Sequence, residues 1–204
     1  MPQELFVSRT LPVLATTEHL LPQQKHQIRG SGMLFSQTIL EAIRTEGIWI
    51  VMLGNDGETA NKTGDIVTFA TIESVDWLSE EQIKVELELS LWGKVDAEQH
   101  HKSDRLLKAS LFPLWHSDKK ASERDRVVTQ LQQWQAENAY HQPPTDIGYD
   151  FNTDPCWLCW RWLELLPLPV QTKQRLLKQP EPTLCLRYLK TMFRQSDRYT
   201  RLLR

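Results

Sequence analysis

The clearest pattern of polar and apolar positions lies between residues 83 and 92. Ile83, Val85, Leu87, Leu89 and Leu91 alternate with Lys84, Glu86, Glu88, Ser90 and Trp92, which predicts a strand with one buried face. Ile48–Leu53 and Ile66–Ile72 are short β-branched runs bounded by Gly and Asp, the pattern of more buried strands. Leu11–Thr16, Lys25–Arg29 and Arg105–Phe112 are weaker strand candidates, so about six strands form a small curled sheet or barrel. One helix interrupts them. Leu34 and Phe35, Ile39 and Leu40, and Ile43 recur three and four apart, and Gly47 follows as a C-terminal cap. This helix is expected to cover one open end of the barrel.

After about residue 117 the period changes. Ser122 and Asp125 form a capping-box variant that opens a long helix carrying Val127, Val128, Leu131, Trp134 and Tyr140. Pro143, Pro144 and Gly148 mark the following stretch as a loop. Asp154 and Pro155 then start a helix through Trp157, Trp160 and Trp162, closed by Pro167. Two more helical runs follow, Lys173–Lys178 and one built on Leu184, Tyr188, Leu189 and Met192. The fold class is therefore α+β, with a β-rich part at 1–117 and an α-helical part at 118–204.

Composition adds limits. A chain of 204 residues with 40% hydrophobic and 25% charged residues suits a soluble globular protein. The net charge of −2 is unevenly spread. From residue 171 onward there are nine Lys or Arg against Glu181 and Asp197, so that stretch is +7 and the preceding 170 residues are −9. A solvated helix face is favoured over an acidic partner as the reading of this basic stretch. Three cysteines argue against a disulfide scaffold, and neither a secretory segment nor a membrane span is evident. The expectation is a protein of a reducing cytoplasm that does not associate with membranes.

Several segments in order resemble the LON substrate-binding domain, the amino-terminal domain of ATP-dependent Lon proteases. Leu11-Pro12-Val13-Leu14 is similar to its opening strand and Leu21-Pro22 to its early turn. Thr63–Ile72 resembles its glycine-led strand, and Leu87–Gly93 the next strand with a terminal glycine. Ala109–Leu114 resembles the strand leading into the helical part, and Asp154–Pro167 with the two following runs resembles its C-terminal helices. The resemblance implies a PUA-like barrel with one inserted helix, followed by a helical bundle. It also implies a stand-alone, non-catalytic module that recognises unfolded polypeptide or a specific protein partner. One region departs from the family: Ile28–Met33 replaces an acidic and aromatic cluster. No Gly-x-x-x-x-Gly-Lys-Ser/Thr loop occurs in the sequence, and a Ser–Lys protease domain has no room in it.

Other chemistry is weighed against packing. Cys156-x-x-Cys159 sits at a helix start, where the dipole would favour a thiolate, but it lacks the βαβ context of a thiol oxidoreductase. With only Cys185 besides, and His100, His101 and His116 at no telling spacing, zinc has no support. Asp146, Asp150, Asn152 and Asp154 fit turns and capping better than a cation site. No metal or cofactor is expected. Trp92, Trp115, Trp157 and Trp160 are the apolar candidates for peptide or partner binding, although core packing is the commoner fate of such residues. The alternative is an RNA-binding barrel that uses the basic C-terminal helical segment. It ranks lower because Glu73, Asp76, Glu80, Glu81, Glu86 and Glu88 would repel phosphate.

Overall fold

The computed structural model describes residues 7–79, 82–97, 105–137 and 153–202, with side chains as far as residue 195. Glu80, Glu81, His100, His101, Tyr140, Pro143, Pro144, Asp146, Gly148, Asp150 and Asn152 lie outside the described residues. The chain is mixed α/β and divides into two compact units. The first comprises Met1–Leu114 with Pro169–Gln174, and the second Trp115–Leu168 with Arg175–Arg204.

The first unit contains β1 (Ser8–Thr16), β2 (Gln24–Ser31), α1 (Met33–Arg44), β3 (Ile48–Met52), β4 (Ile66–Trp77), β5 (Gln82–Val95) and β6 (Leu106–Phe112). The sheet order is β2-β5-β4-β3-β1-β6, and β5 pairs again with β6. Hydrogen bonding from β5 through β4, β3, β1 and β6 therefore returns to β5, and β2 is joined along the other part of β5. Only β1 and β3 run parallel among these pairs. The core collects Leu20, Ile39, Ala42, Ile48, Ile50, Ala70 and the inward residues of β5.

The alternation predicted for β5 holds from Ile83 to Leu89 and then slips. Phe69 pairs with Leu91 and Ala70 with Leu89, which leaves Ser90 as an extra residue. A bulge of this kind reverses the side-chain phase beyond it. Leu91 consequently faces solvent and Trp92 is buried, the opposite of the period-two expectation. The strand also runs past Gly93, whose expected role was terminal. A Cβ on Gly93 would lie 2.6 Å from Cη2 of Trp49, so the missing side chain makes room for the indole.

Helix α1 ends differently from the prediction. Thr45 is the C-cap, Glu46 takes the left-handed conformation at φ 54°, and Gly47 donates back to Ala42 O at 2.9 Å. This is a Schellman arrangement with Glu46, not glycine, at the left-handed position. Gly47 serves packing instead, because a Cβ there would fall 2.5 Å from the Phe69 ring.

The second unit contains α2 (Arg126–Glu137), α3 (Pro155–Leu165) and α5 (Thr183–Leu202), with α4 (Val170–Leu177) divided between the units after Gln174. Asp125, rather than Ser122, caps α2: its Oδ1 accepts from Val127 N at 3.3 Å. Asp154 Oδ1 accepts from Cys156 N at 2.9 Å and Pro155 occupies the first turn, the start predicted for α3. The last helix, α5, is 20 residues long and extends past the predicted run of Leu184, Tyr188, Leu189 and Met192. Trp162 ties α3 to its neighbours, donating from Nε1 to Val127 O at 2.9 Å and meeting Phe193 edge-on at 4.7 Å.

The six residues Pro169–Gln174 join the strand unit through polar contacts that span over a hundred positions. The Gln174 side chain accepts from Ile66 N at 2.7 Å and donates to Ile66 O at 2.9 Å, bonding that residue as a neighbouring strand would. Lys173, buried despite its charge, places Nζ 2.7 Å from His19 Nδ1. An ammonium can only donate, so Nδ1 accepts and Nε2 carries the proton given to Leu53 O at 2.8 Å. His19 is thus held neutral. Burial first, with the Lys173 charge assisting, lowers its pKa against the opposing Leu53 bond.

Candidate interaction surface

The outer side of α1 is the notable surface of the strand unit. Ile39 and Ala42 are buried and Phe35 packs half-buried, its ring 2.5 Å from where a Gly30 Cβ would stand. Those three residues seat the helix. Sequence spacing placed Leu34, Leu40 and Ile43 on the same seat, yet they are 63%, 55% and 49% exposed, and Met33 is 76% exposed. At 100° per residue, Met33, Gln37, Leu40 and Arg44 fall on the side opposite Ala42, with Ile43 and Leu34 flanking them. An apolar side that its own helix does not need for packing is the kind of surface that meets a partner.

A groove of about 470 Å³ runs along this helix, lined by Pro12, Leu40 and Leu106 with the polar Gln37, Thr38, Glu41, Arg44 and Arg105. Arg105 Nη1 donates to Gln37 Oε1 at 3.2 Å, and Arg44 lies 3.7 Å from Glu41. A second exposed apolar pair, Trp77 and Leu78, stands where β4 ends.

The four predicted tryptophans are elsewhere and inside. Trp92, Trp157 and Trp160 are at most 1% exposed and Trp115 is 7% exposed, so none offers a face to a partner in this structure. Trp92 stacks on Phe112 at 5.3 Å and donates to Pro113 O at 2.8 Å. Trp115 stacks on Trp160 at 6.1 Å and donates to Gln179 O at 2.7 Å. Trp157 lies under the buried guanidinium of Arg161, which is 3.1 Å from Glu164. Trp115 and Trp160 are brought together by their stacking. These four residues pack, whereas Met33, Leu34, Leu40 and Ile43 of α1 are exposed.

The thiols are equally enclosed. Cys156, Cys159 and Cys185 are free and buried. Burial first, then the Asp154 carboxylate, pushes the Cys156 thiol up to about 12, which overrides the helix dipole expected to favour a thiolate. Cys159 is raised as well, by burial and then by Cys185. Among the described residues no cluster of His, Cys, Asp or Glu could hold a metal ion. His116 is exposed beside Asp118.

The basic stretch is mixed. Lys173 is buried and Lys190 pairs with Asp125, whereas Arg175, Lys178, Arg187 and Arg194 are exposed. The acidic residues of the strand unit are also partly matched, Glu73 by Lys25 and Asp76 by Lys84. Among the described residues, no helix is long and apolar enough to cross a membrane.

Solved structures with this fold are Lon N-terminal domains. The chain is similar to a Lon N-terminal domain protein from Xanthomonas campestris, with a TM-score of 0.60 at 17% identity, covering 89% of this chain and 96% of that one. It is also similar to the N-terminal domain of the Mycobacterium avium complex Lon protease, with a TM-score of 0.57 at 17% identity and the same coverage. No family model and no curated protein matches the sequence. The likeness is one of fold, and it extends over nearly the whole of both relatives.

Proposed function

We propose that this chain is a non-catalytic module that binds exposed apolar segments of unfolded polypeptide through the outer side of α1 and the groove beside it. The observation that carries this reading is the exposure of Met33, Leu34, Leu40 and Ile43 on a helix already seated by Phe35, Ile39 and Ala42. The shared fold with Lon N-terminal domains supports it. The returning circuit of strand pairings supports a PUA-like barrel for the first unit, and α2, α3 and α5 a small bundle for the second. The enclosed thiols speak for structural cysteines in a reducing cytoplasm.

Non-specific recognition of unfolded chains needs apolar contact without sequence readout, and α1 offers flexible Met and Leu side chains for it. The test is fluorescence anisotropy of a labelled unfolded polypeptide titrated with the protein, alongside single-stranded RNA. Saturable polypeptide binding that survives moderate salt is the expected result. Salt-sensitive binding of RNA alone would replace this reading with the phosphate-binding one.

A further inference from the structure

The strand circuit leaves β2 with a single strand neighbour. It pairs with β5 from Gln24 opposite Leu89 to Ser31 opposite Gln82 without a register shift, and on its other side the sheet ends. Among the described residues, the backbone groups of residues 25–31 bond to β5 alone. Alternate residues of a strand aim their N–H and C=O groups to opposite sides, so every second residue here aims them away from β5. Beyond Ala70, β4 also has no neighbour in place of β3, but a register shift between Ile72 and Ser74 interrupts that edge. Such irregularities turn an edge away from further pairing, and β2 has none.

The edge is also uncovered. β5 and α1 are the elements packed closely against β2, and α1 meets it at Gly30, under the Phe35 ring. No residue of β2 is buried, and Lys25, Gln27, Arg29 and Ser31 are exposed. Lysine commonly guards an open edge, but Lys25 leans back across β5 to Glu73 on β4 at 2.7 Å. A row of N–H and C=O groups at strand spacing is satisfied as a whole by another extended backbone. A second copy of β2 would bring Lys25 and Arg29 with it and no acidic residue to answer them, so a different chain is the better complement. We infer that the open edge of β2 takes an extended segment of unfolded polypeptide as an added strand, with alternate side chains toward half-buried Ile28 and the others toward Gln27 and Arg29. The inference rests on the polypeptide-recognition reading, whose α1 surface begins at Met33, two residues past the end of β2. It adds main-chain bonding, which holds a client without reading its sequence.

The test follows amide hydrogen exchange of the protein by NMR, free and with bound unfolded polypeptide. A peptide of about eight alternating valines and threonines, with a glutamate at each end, serves as a second probe. With the peptide at roughly ten times its dissociation constant, the fast-exchanging amides within residues 25–31 are expected to slow about tenfold. Two further peptides, N-methylated at the valines or at the threonines, keep every side chain and lose the donors of one edge each. One is expected to bind at least about tenfold weaker than the other, because a strand added in one direction bonds through one edge. Unchanged exchange in residues 25–31 under bound peptide or polypeptide, or equal affinity for the two methylated forms, would overturn strand addition and leave the α1 reading standing. Slow exchange there without any probe, quickening as the protein is diluted, would give the edge to a second copy and overturn it too. If neither peptide nor unfolded polypeptide binds, both readings fall.

Discussion

Helices α1 and α3 are both rich in apolar residues, and the molecule uses them in opposite ways. In α3 nine of eleven residues are buried, including three tryptophans and even Arg161. In α1 only two of twelve are buried, and four of its large apolar side chains face outward. The difference shows that apolar content alone does not mark a recognition surface. On the proposed reading, the mark is apolar area left over after a helix has been seated. The aromatic density of α3 is absorbed by contacts such as Trp115–Trp160 and Trp162–Phe193, whereas α1 needs only Phe35, Ile39 and Ala42 for its seat.

Substitutions in the two helices should therefore separate stability from binding. The largest expected effect is on the α3 side: Trp160→Ala removes a wholly buried indole and should cost about 3–5 kcal/mol, measured by urea denaturation followed by circular dichroism. A loss below about 1 kcal/mol would mean that α3 is not enclosed as described. Asp154→Ala deletes the side-chain cap of the same helix and should cost about 1 kcal/mol in that assay, with Asp154→Asn recovering most of it.

A pH effect belongs to the strand unit. Because the folded state holds His19 neutral, its contribution to stability is complete above its ordinary value near 6.5. It is lost as the pH falls from there through the lower folded value. Wild type should therefore lose more stability than His19→Gln between about pH 7.5 and pH 5, and parallel curves would remove His19 from the account. The smallest stability effect is expected on the outer side of α1, where Leu40→Ser should shift unfolding by no more than about 0.5 kcal/mol.

Local signals in the sequence were legible and long-range ones were not. Asp154-Pro155 announces the start of α3 because a cap acts on residues two positions away. The succession of strands along the chain and the helix that interrupts them followed from period and spacing; the order of the strands in the sheet did not. The bulge at Ser90 did not, since pairing with β4 creates it, and that slip is why Trp92 reads as outward-facing in sequence yet lies inside. Lys173 counts as one charge of a basic stretch until His19, 154 positions earlier, is found beside it. The α1 surface was hidden for a related reason: a three-and-four spacing identifies a helix with apolar residues but not which of them meet the sheet. Leu40 adjoins Ile39 in sequence and points to solvent.

The decisive measurement is the affinity of the Leu40→Ser, Ile43→Ser double variant for a labelled unfolded polypeptide, taken with its thermal unfolding midpoint. The account predicts binding at least about tenfold weaker, for two lost apolar contacts, with the midpoint essentially unmoved. Wild-type affinity in a variant that folds normally would contradict it and move the recognition surface away from α1.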